Sequence, residues 1–112
     1  MVPFEGEIGI NEFKDKPIRK VFKDGEWYFS IVDVIEAMVE TASPSRYWAQ
    51  LRDKLTREEG FADLFDNIEK VKMPGRDGKE YPAESCDAQT LFRIIQSVPS
   101  ISLWAQGRAR AD

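Results

Sequence analysis

The hydrophobic pattern of this chain is clearest where two alternating runs meet. Ile18–Lys23 and Glu26–Ile31 flank Asp24-Gly25, a dipeptide that strongly favours a two-residue hairpin turn. Counting outward from the turn predicts the opposing pairs. The apolar face would hold Phe22 with Trp27, Lys20 with Phe29 and Ile18 with Ile31; the mixed face would hold Val21 with Tyr28, Arg19 with Ser30 and Lys23 with Glu26. We expect the stem of Lys20 to lie on the ring of Phe29, and Trp27 and Phe29 to belong to the core.

A helix is expected to follow this hairpin directly. Ser30 can cap it, with Asp33 three residues on in a weak form of the capping box, and it would end near Glu40. Its buried side repeats at helical spacing through Ile31, Val34, Ile35 and Met38. A hairpin that leads into a helix predicts the first half of a small α+β domain.

The second helix has clear start and stop signals. Ser43 can cap it, Pro44 suits its first position, and Gly60 would end it after about Glu59. One apolar stripe runs along it, formed by Tyr47, Trp48, Leu51 and Leu55. Adjacent aromatic residues on such a stripe are more often core than base-stacking side chains.

The rest of the chain predicts a short helix, a second hairpin and a fourth helix. The short helix would bury Phe61, Leu64, Phe65 and Ile68. From Glu69 the period changes to two, a turn follows at residues 74–78, and residues 79–84 return as a strand that Pro82 marks as an edge or irregular strand. Asp87 or Ser85 can cap the fourth helix. Its buried side would be Leu91, Phe92, Ile94, Ile95 and Val98, with Pro99 ending it.

These elements predict one α+β domain with two β-hairpins in a small antiparallel sheet, packed with about four helices. We place the domain at residues 14–105, after a leader at residues 1–13 that is either a short edge strand or loose chain. Residues 106–112 are expected to be disordered.

Composition narrows the possible functions. The net charge is −4 and the isoelectric point about 4.9, so binding to phosphates would need a local basic patch. The chain has no histidine and a single cysteine, Cys86, so no metal site, no cofactor and no enzyme activity are expected, and Cys86 should be a buried or inert thiol. A long apolar run and a signal peptide are both absent from the sequence, which predicts a cytoplasmic protein without a membrane partner.

Four stretches together resemble a known family, the BRO N-terminal domain. In order and spacing they are IRKVFKDGEWYFSIVDVIEAM, PSRYWAQLRDKL, KMPGRDGKEY and DAQTLFRIIQSVPS. This domain occurs in prophage antirepressors, in the DNA-damage-inducible protein D group and in viral BRO proteins. The resemblance covers roughly Lys16 to Ser100. Beyond Pro99 only Trp104-Ala105 fits the family's final helix, at shortened spacing, which predicts a truncated or diverged member without its effector domain.

The resemblance implies a DNA-binding module of a phage-type transcriptional regulator. One candidate site is the polar face of the second helix, with Arg46, Gln50, Asp53 or Lys54, and Arg57 on one side. Arginine and glutamine can pair bidentately with guanine and adenine edges. An ordinary solvated helix face is the alternative, which the nearby acidic residues favour.

Two further basic clusters are candidates for phosphate contact. The second hairpin carries Lys70, Lys72, Arg76 and Lys79 and could bind DNA as a basic ribbon, although lysines on an edge strand can serve only to prevent self-pairing. The other cluster comprises Lys14, Lys16, Arg19, Lys20 and Lys23. Within it, Arg19 and Lys23 are expected to share the open face of the first hairpin beside Tyr28.

The sequence leaves two other functions open. The domain could bind a repressor protein without contacting DNA, since an antirepressor acts on a repressor and the acidic balance suits a basic partner. It could also form a homodimer through an apolar patch left by the missing final helix.

Overall fold

A computed structural model of the chain describes residues 2–58 and 61–98. These residues form five strands, three α-helices and one 3₁₀ segment. In chain order they are β1 (Ile8–Phe13), β2 (Lys16–Lys23), β3 (Glu26–Ser30), α1 (Ile31–Met38), α2 (Pro44–Arg57), the 3₁₀ segment (Ala62–Asn67), β4 (Glu69–Pro74), β5 (Glu80–Cys86) and α3 (Ala88–Gln96). The predicted α+β class is therefore confirmed.

Strands β2 and β3 form the predicted hairpin, with four of the six predicted pairs; the predicted pair of Ile18 with Ile31 is absent because Ile31 begins α1. Lys20 pairs with Phe29, Val21 with Tyr28, Phe22 with Trp27 and Lys23 with Glu26. Asp24 and Gly25 both have positive φ, 53° and 81°, as a two-residue turn that matches the strand twist requires. A single strong turn signal was enough to set the register of this hairpin.

Strand β1 pairs antiparallel with β2, so the sheet has one strand more than the two predicted hairpins contain. It pairs with β2 from Ile8 opposite Val21 to Phe13 opposite Lys16. The intervening turn is Lys14-Asp15, again with positive φ at both residues. Of the two alternatives for the first thirteen residues, the edge strand is the one observed.

The five strands lie in the order β1-β2-β3-β5-β4, and the sheet curls. Strand β3 joins β5 through only two pairs, Phe29 with Cys86 and Ser30 with Ser85. Although β2 and β4 are not hydrogen-bonded neighbours, their side chains meet in a small cluster. That cluster contains Val21, Val71 and Met73, with Tyr28 and Ala83 packed against it. The β4–β5 hairpin thus folds over one face of the first hairpin.

All three helices begin where the sequence predicts. Ser30, Ser43 and Asp87 each accept a hydrogen bond from the backbone N–H three residues on. Pro44 occupies the first turn of α2. Each cap satisfies an N–H group that has no partner inside its helix. The predicted ends at Gly60 and Pro99, and the tail after Ser100, lie outside the described residues.

Three expectations about the fold are corrected. The predicted third helix is the 3₁₀ segment Ala62–Asn67, so there are three α-helices rather than four in the described chain. Phe92 is 60% exposed, because it lies outside the side of α3 on which Thr90 and Ile94 are buried. The ammonium of Lys20 lies 4.2 Å from the ring centroid of Trp27 rather than over Phe29, its direct cross-strand neighbour.

The main core lies between the helices and the C-terminal end of β5. Its buried members are Ile31, Ile35, Val39, Trp48, Leu51, Leu55, Leu64, Cys86, Ile94 and Val98. Trp27 and Phe29, expected in the core, are only partly buried at the sheet, and of the two only Phe29 packs against a buried cluster in the part of the chain that the structure describes. Because Trp48, Leu51 and Leu55 face this core, the opposite side of α2 faces solvent.

Candidate nucleic-acid interface

The outer face of α2 carries the first set of predicted site residues. Arg46, Gln50, Lys54 and Arg57 are all exposed, and their spacing places them away from the buried stripe. Two of the cations have carboxylate partners one turn away. Arg57 is bound to Asp53, and the ammonium of Lys54 lies 4.0 Å from Glu58. Arg46 is the cation of this set without an ion-pair partner among the described residues.

The β4–β5 hairpin carries the second set on its outer face. In β4 the buried residues Val71 and Met73 alternate with the exposed residues Lys70 and Lys72. Since successive side chains of a strand point to opposite faces, the two lysines point away from the cluster under the hairpin. Arg76 and Lys79 lie at its tip and are also exposed.

Three of the four carboxylates on this hairpin are engaged by other groups; that of Glu80 has no partner among the described residues. Glu69 binds Lys23. Asp77 accepts hydrogen bonds from the Tyr81 hydroxyl and the Lys79 backbone N–H. Glu84, which is directly opposite Lys70 in the strand register, accepts a 2.7 Å bond from the Trp48 indole and a 2.6 Å bond from Arg52. Within residues 2–58 and 61–98, the four hairpin cations therefore have no ion-pair partners.

Glu84 joins the hairpin face that carries Lys70 to α2. Arg52 and Trp48 lie on the flank of α2 that faces β5, and both bind the same carboxylate. A shallow groove runs along this junction, lined by Val32, Ser45, Trp48, Ala49, Arg52, Asp53, Thr56 and Glu84. Sequence reasoning missed Arg52. Its sequence position does indicate the contact: Arg52 lies four residues after Trp48, and therefore beside the buried stripe of α2 rather than opposite that stripe.

Arg19 is bound within the structure, unlike the hairpin cations. Its Nε and Nη2 donate to the two oxygens of Asp33 at 2.7 and 2.9 Å, and its Nη1 donates to the Pro74 carbonyl at 2.9 Å. The Asp33 carboxylate is only 10% exposed. The bond to Asp33 raises the pKa of Arg19 above its usual value. Arg19 therefore ties together β2, α1 and the end of β4.

The other cations of the first hairpin are spread over both faces of its sheet. Lys20 lies over Trp27, and Lys23 lies over the ring of Tyr28 while it binds Glu69. Lys14 and Lys16 are exposed at the β1–β2 turn. The predicted neighbourhood of Lys23 and Tyr28 is confirmed, but Arg19 is held by Asp33 rather than grouped with them on an open surface.

The described residues contain little that could carry other chemistry. Cys86 is fully buried, and burial raises the pKa of its thiol to about 12, so the reactive thiolate is absent near neutral pH. Residues 2–58 and 61–98 contain no group of three or more histidine, cysteine or acidic residues that could hold a metal ion. No helix in this described part has the length and apolar character needed to cross a membrane.

Comparisons with known proteins do not assign this chain to a family. Neither the protein-family models, nor the curated proteins, nor the solved structures contain a match. The resemblance to the BRO N-terminal domain therefore stays a prediction from the quoted motifs, and the geometry of the basic hairpin and of α2 carries the functional argument.

Proposed function

We propose that this protein is a DNA-binding module of a phage-type transcriptional regulator, with the β4–β5 hairpin as its main phosphate-binding element. The observation that carries the proposal is the set of four exposed cations without ion-pair partners on one hairpin: Lys70, Lys72, Arg76 and Lys79. A two-stranded ribbon is narrow enough to enter the major groove of B-DNA. The motif resemblance to the BRO N-terminal domain supports the same function.

Local charge matters here more than the net charge of −4. Of the four carboxylates on the hairpin, those of Glu69, Asp77 and Glu84 are bound by other side chains of the protein. Only Glu80 has no partner in the described chain. Each bound carboxylate has its charge offset by a cation or a hydrogen-bond donor, which weakens its repulsion of a phosphate. A duplex that approaches the hairpin therefore meets a locally basic surface on an acidic molecule.

The outer face of α2 contributes base contacts in this proposal. Arg46 has no internal ion-pair partner in the described chain, and Gln50 lies one turn further along on the same side. These two side-chain types recognise guanine and adenine edges. Lys54 and Arg57 are held by carboxylates of their own helix, so their contribution to phosphate binding is smaller than that of the hairpin lysines. Arg19 acts inside the fold.

Fluorescence anisotropy of a labelled DNA duplex, titrated with this protein, tests the proposal. The expected result is binding at low salt that weakens as the salt concentration rises. No binding at low salt would contradict the DNA-binding function. The alternative, a protein–protein interaction module, would be supported if the protein binds a purified repressor and free DNA does not displace that repressor. A mass that increases with protein concentration in the absence of both partners would support a homodimer.

A further inference from the structure

The tip of the β4–β5 hairpin is held by a dense set of hydrogen bonds. The Gly75 N–H donates to the Lys79 carbonyl at 2.7 Å, and the Gly78 N–H donates to the Gly75 carbonyl at 3.1 Å. Gly78 has a φ of +83°, a conformation that glycine adopts without strain. The backbone of residues 75–79 thus forms a closed turn that carries Arg76 and Lys79.

Two side chains complete this turn. One oxygen of Asp77 accepts a 2.9 Å bond from the Lys79 N–H, and the other accepts a bond from the Tyr81 hydroxyl. The ring of Tyr81 lies directly over Gly75, where an added Cβ would stand 2.8 Å from two ring carbons. Asp77 therefore links the turn backbone to a side chain of the returning strand.

We propose that Asp77 and Tyr81 are positioning residues for DNA binding, because they fix the turn that presents Arg76 and Lys79 to the phosphates. The inference rests on the proposed function. Its physical basis is pre-organisation: a cation on a turn that is already ordered pays less conformational entropy when it binds. Asp77 then favours DNA binding even though it carries a negative charge.

The positioning role and simple electrostatics predict opposite effects on DNA binding when Asp77 is removed. Removal of an acidic charge beside a phosphate-binding site should strengthen DNA binding if charge alone matters. If Asp77 positions the tip, Asp77→Ala should instead weaken binding. Glu80 is the matched control, because it lies on the same hairpin and its carboxylate has no hydrogen-bond or ion-pair partner among the described residues. Glu80→Ala should strengthen binding.

Tyr81→Phe tests the same role without a change of charge. The variant keeps the ring over Gly75 and loses only the hydroxyl that donates to Asp77. We expect duplex affinity to fall roughly three- to tenfold, the range that ordering one or two side chains costs. The dependence of affinity on salt should not change, because the number of cations is unchanged.

Asp77→Asn is the conservative variant that should restore binding. Its amide oxygen can accept from the Lys79 N–H, and its amide nitrogen can donate to the Tyr81 oxygen. With the turn kept and the charge removed, we expect an affinity at least equal to that of the unaltered protein. If Asp77 contributed only to overall stability, Asp77→Ala and Asp77→Asn should bind DNA equally well wherever both variants are folded at the assay temperature. The positioning role instead predicts that Asp77→Asn binds more tightly than Asp77→Ala.

Hydrogen exchange of the free protein measures the order of the tip independently of DNA. The Lys79 amide should exchange faster in Asp77→Ala and Tyr81→Phe than in Glu80→Ala. Bonds from Tyr81 and from the Lys79 N–H lower the pKa of Asp77, so this protection should persist as the pH falls to about 4, the ordinary range for aspartate, and be lost below it.

The outcomes separate the two proposals. If the unaltered protein does not bind duplex DNA at low salt, both the proposed function and the positioning role are wrong. If it binds, but Asp77→Ala and Tyr81→Phe bind as tightly or more tightly, only the positioning role is wrong. Weaker binding by both variants, tighter binding by Glu80→Ala and recovery in Asp77→Asn would support the positioning role.

Discussion

The outer face of α2 and the β4–β5 hairpin contain similar mixtures of basic and acidic residues, yet they present their charges differently. On α2, Lys54 and Arg57 each have a carboxylate partner four residues away, at the end of the helix or within it. On the hairpin, Lys70 and Lys72 have none, because the carboxylate opposite Lys70 is bound by α2 and the residue opposite Lys72 is Pro82. The two surfaces differ in which groups hold their carboxylates.

Secondary structure explains this difference. A helix brings residues four apart together on one side, so alternating charges along α2 neutralise one another. A strand sends neighbouring residues to opposite faces, so Glu69 and Lys70 cannot pair with each other. Glu69 instead binds Lys23. Interspersed acidic residues thus neutralise a helix face while they leave a hairpin face basic.

The largest expected effect concerns the attachment of the hairpin to the rest of the fold. Arg19→Ala removes the links to Asp33 and to the Pro74 carbonyl and leaves a nearly buried carboxylate without its cation. We expect the free energy of unfolding to fall by about 2–3 kcal/mol, measured by urea denaturation followed through tryptophan fluorescence. Arg76→Ala, at the exposed tip, should change it by less than about 0.5 kcal/mol. Equal effects of the two variants would show that Arg19 does not anchor the hairpin.

The next effect concerns the hairpin cations themselves. Lys70→Gln combined with Lys72→Gln removes two cations without ion-pair partners and leaves the buried side of β4 intact. Loss of two phosphate contacts should weaken duplex binding roughly 10- to 60-fold at about 0.1 M salt, measured by anisotropy. The unfolding free energy should stay within about 0.5 kcal/mol of the original value. An unchanged affinity would remove β4 from the interface.

A smaller effect is expected on α2. Arg46→Ala combined with Arg57→Ala should weaken DNA binding roughly three- to tenfold, because Arg57 is already partly neutralised by Asp53. Thermal stability should remain nearly unchanged, since both side chains are exposed. A loss larger than that of the Lys70 and Lys72 variant would reverse the proposed ranking of the two surfaces, and an unaltered affinity would exclude α2 from the site.

Much of the fold could be predicted because local signals were strong. Asp24-Gly25 set the register of one hairpin, and Ser30, Ser43 and Asp87 set the helix starts. The turn at Lys14-Asp15 was missed as a hairpin because it has no glycine, the residue that usually marks positive φ. Without that turn, the sequence could not decide whether residues 1–13 form a strand.

The candidate site was less predictable, because long-range pairing decides which charges are available. The sequence shows Arg19 and Lys70 as similar basic residues on neighbouring hairpins. Whether each has a partner depends on Asp33 and Glu84, which lie 14 positions away in both cases. Asp33 binds Arg19, whereas Glu84 is bound by Trp48 and Arg52 of α2. Such assignments follow from the packing of α2 against β5, which periodicity alone does not specify.

The most direct test of the account compares salt dependence in two proteins. Duplex DNA would be titrated at several salt concentrations with the unaltered protein and with a variant that has Lys70→Gln, Lys72→Gln, Arg76→Gln and Lys79→Gln. The account predicts that the slope of log affinity against log salt becomes shallower by about three to four units in the variant, since each phosphate contact contributes about 0.9. Equal slopes in two equally folded proteins would contradict the claim that this hairpin binds the phosphates.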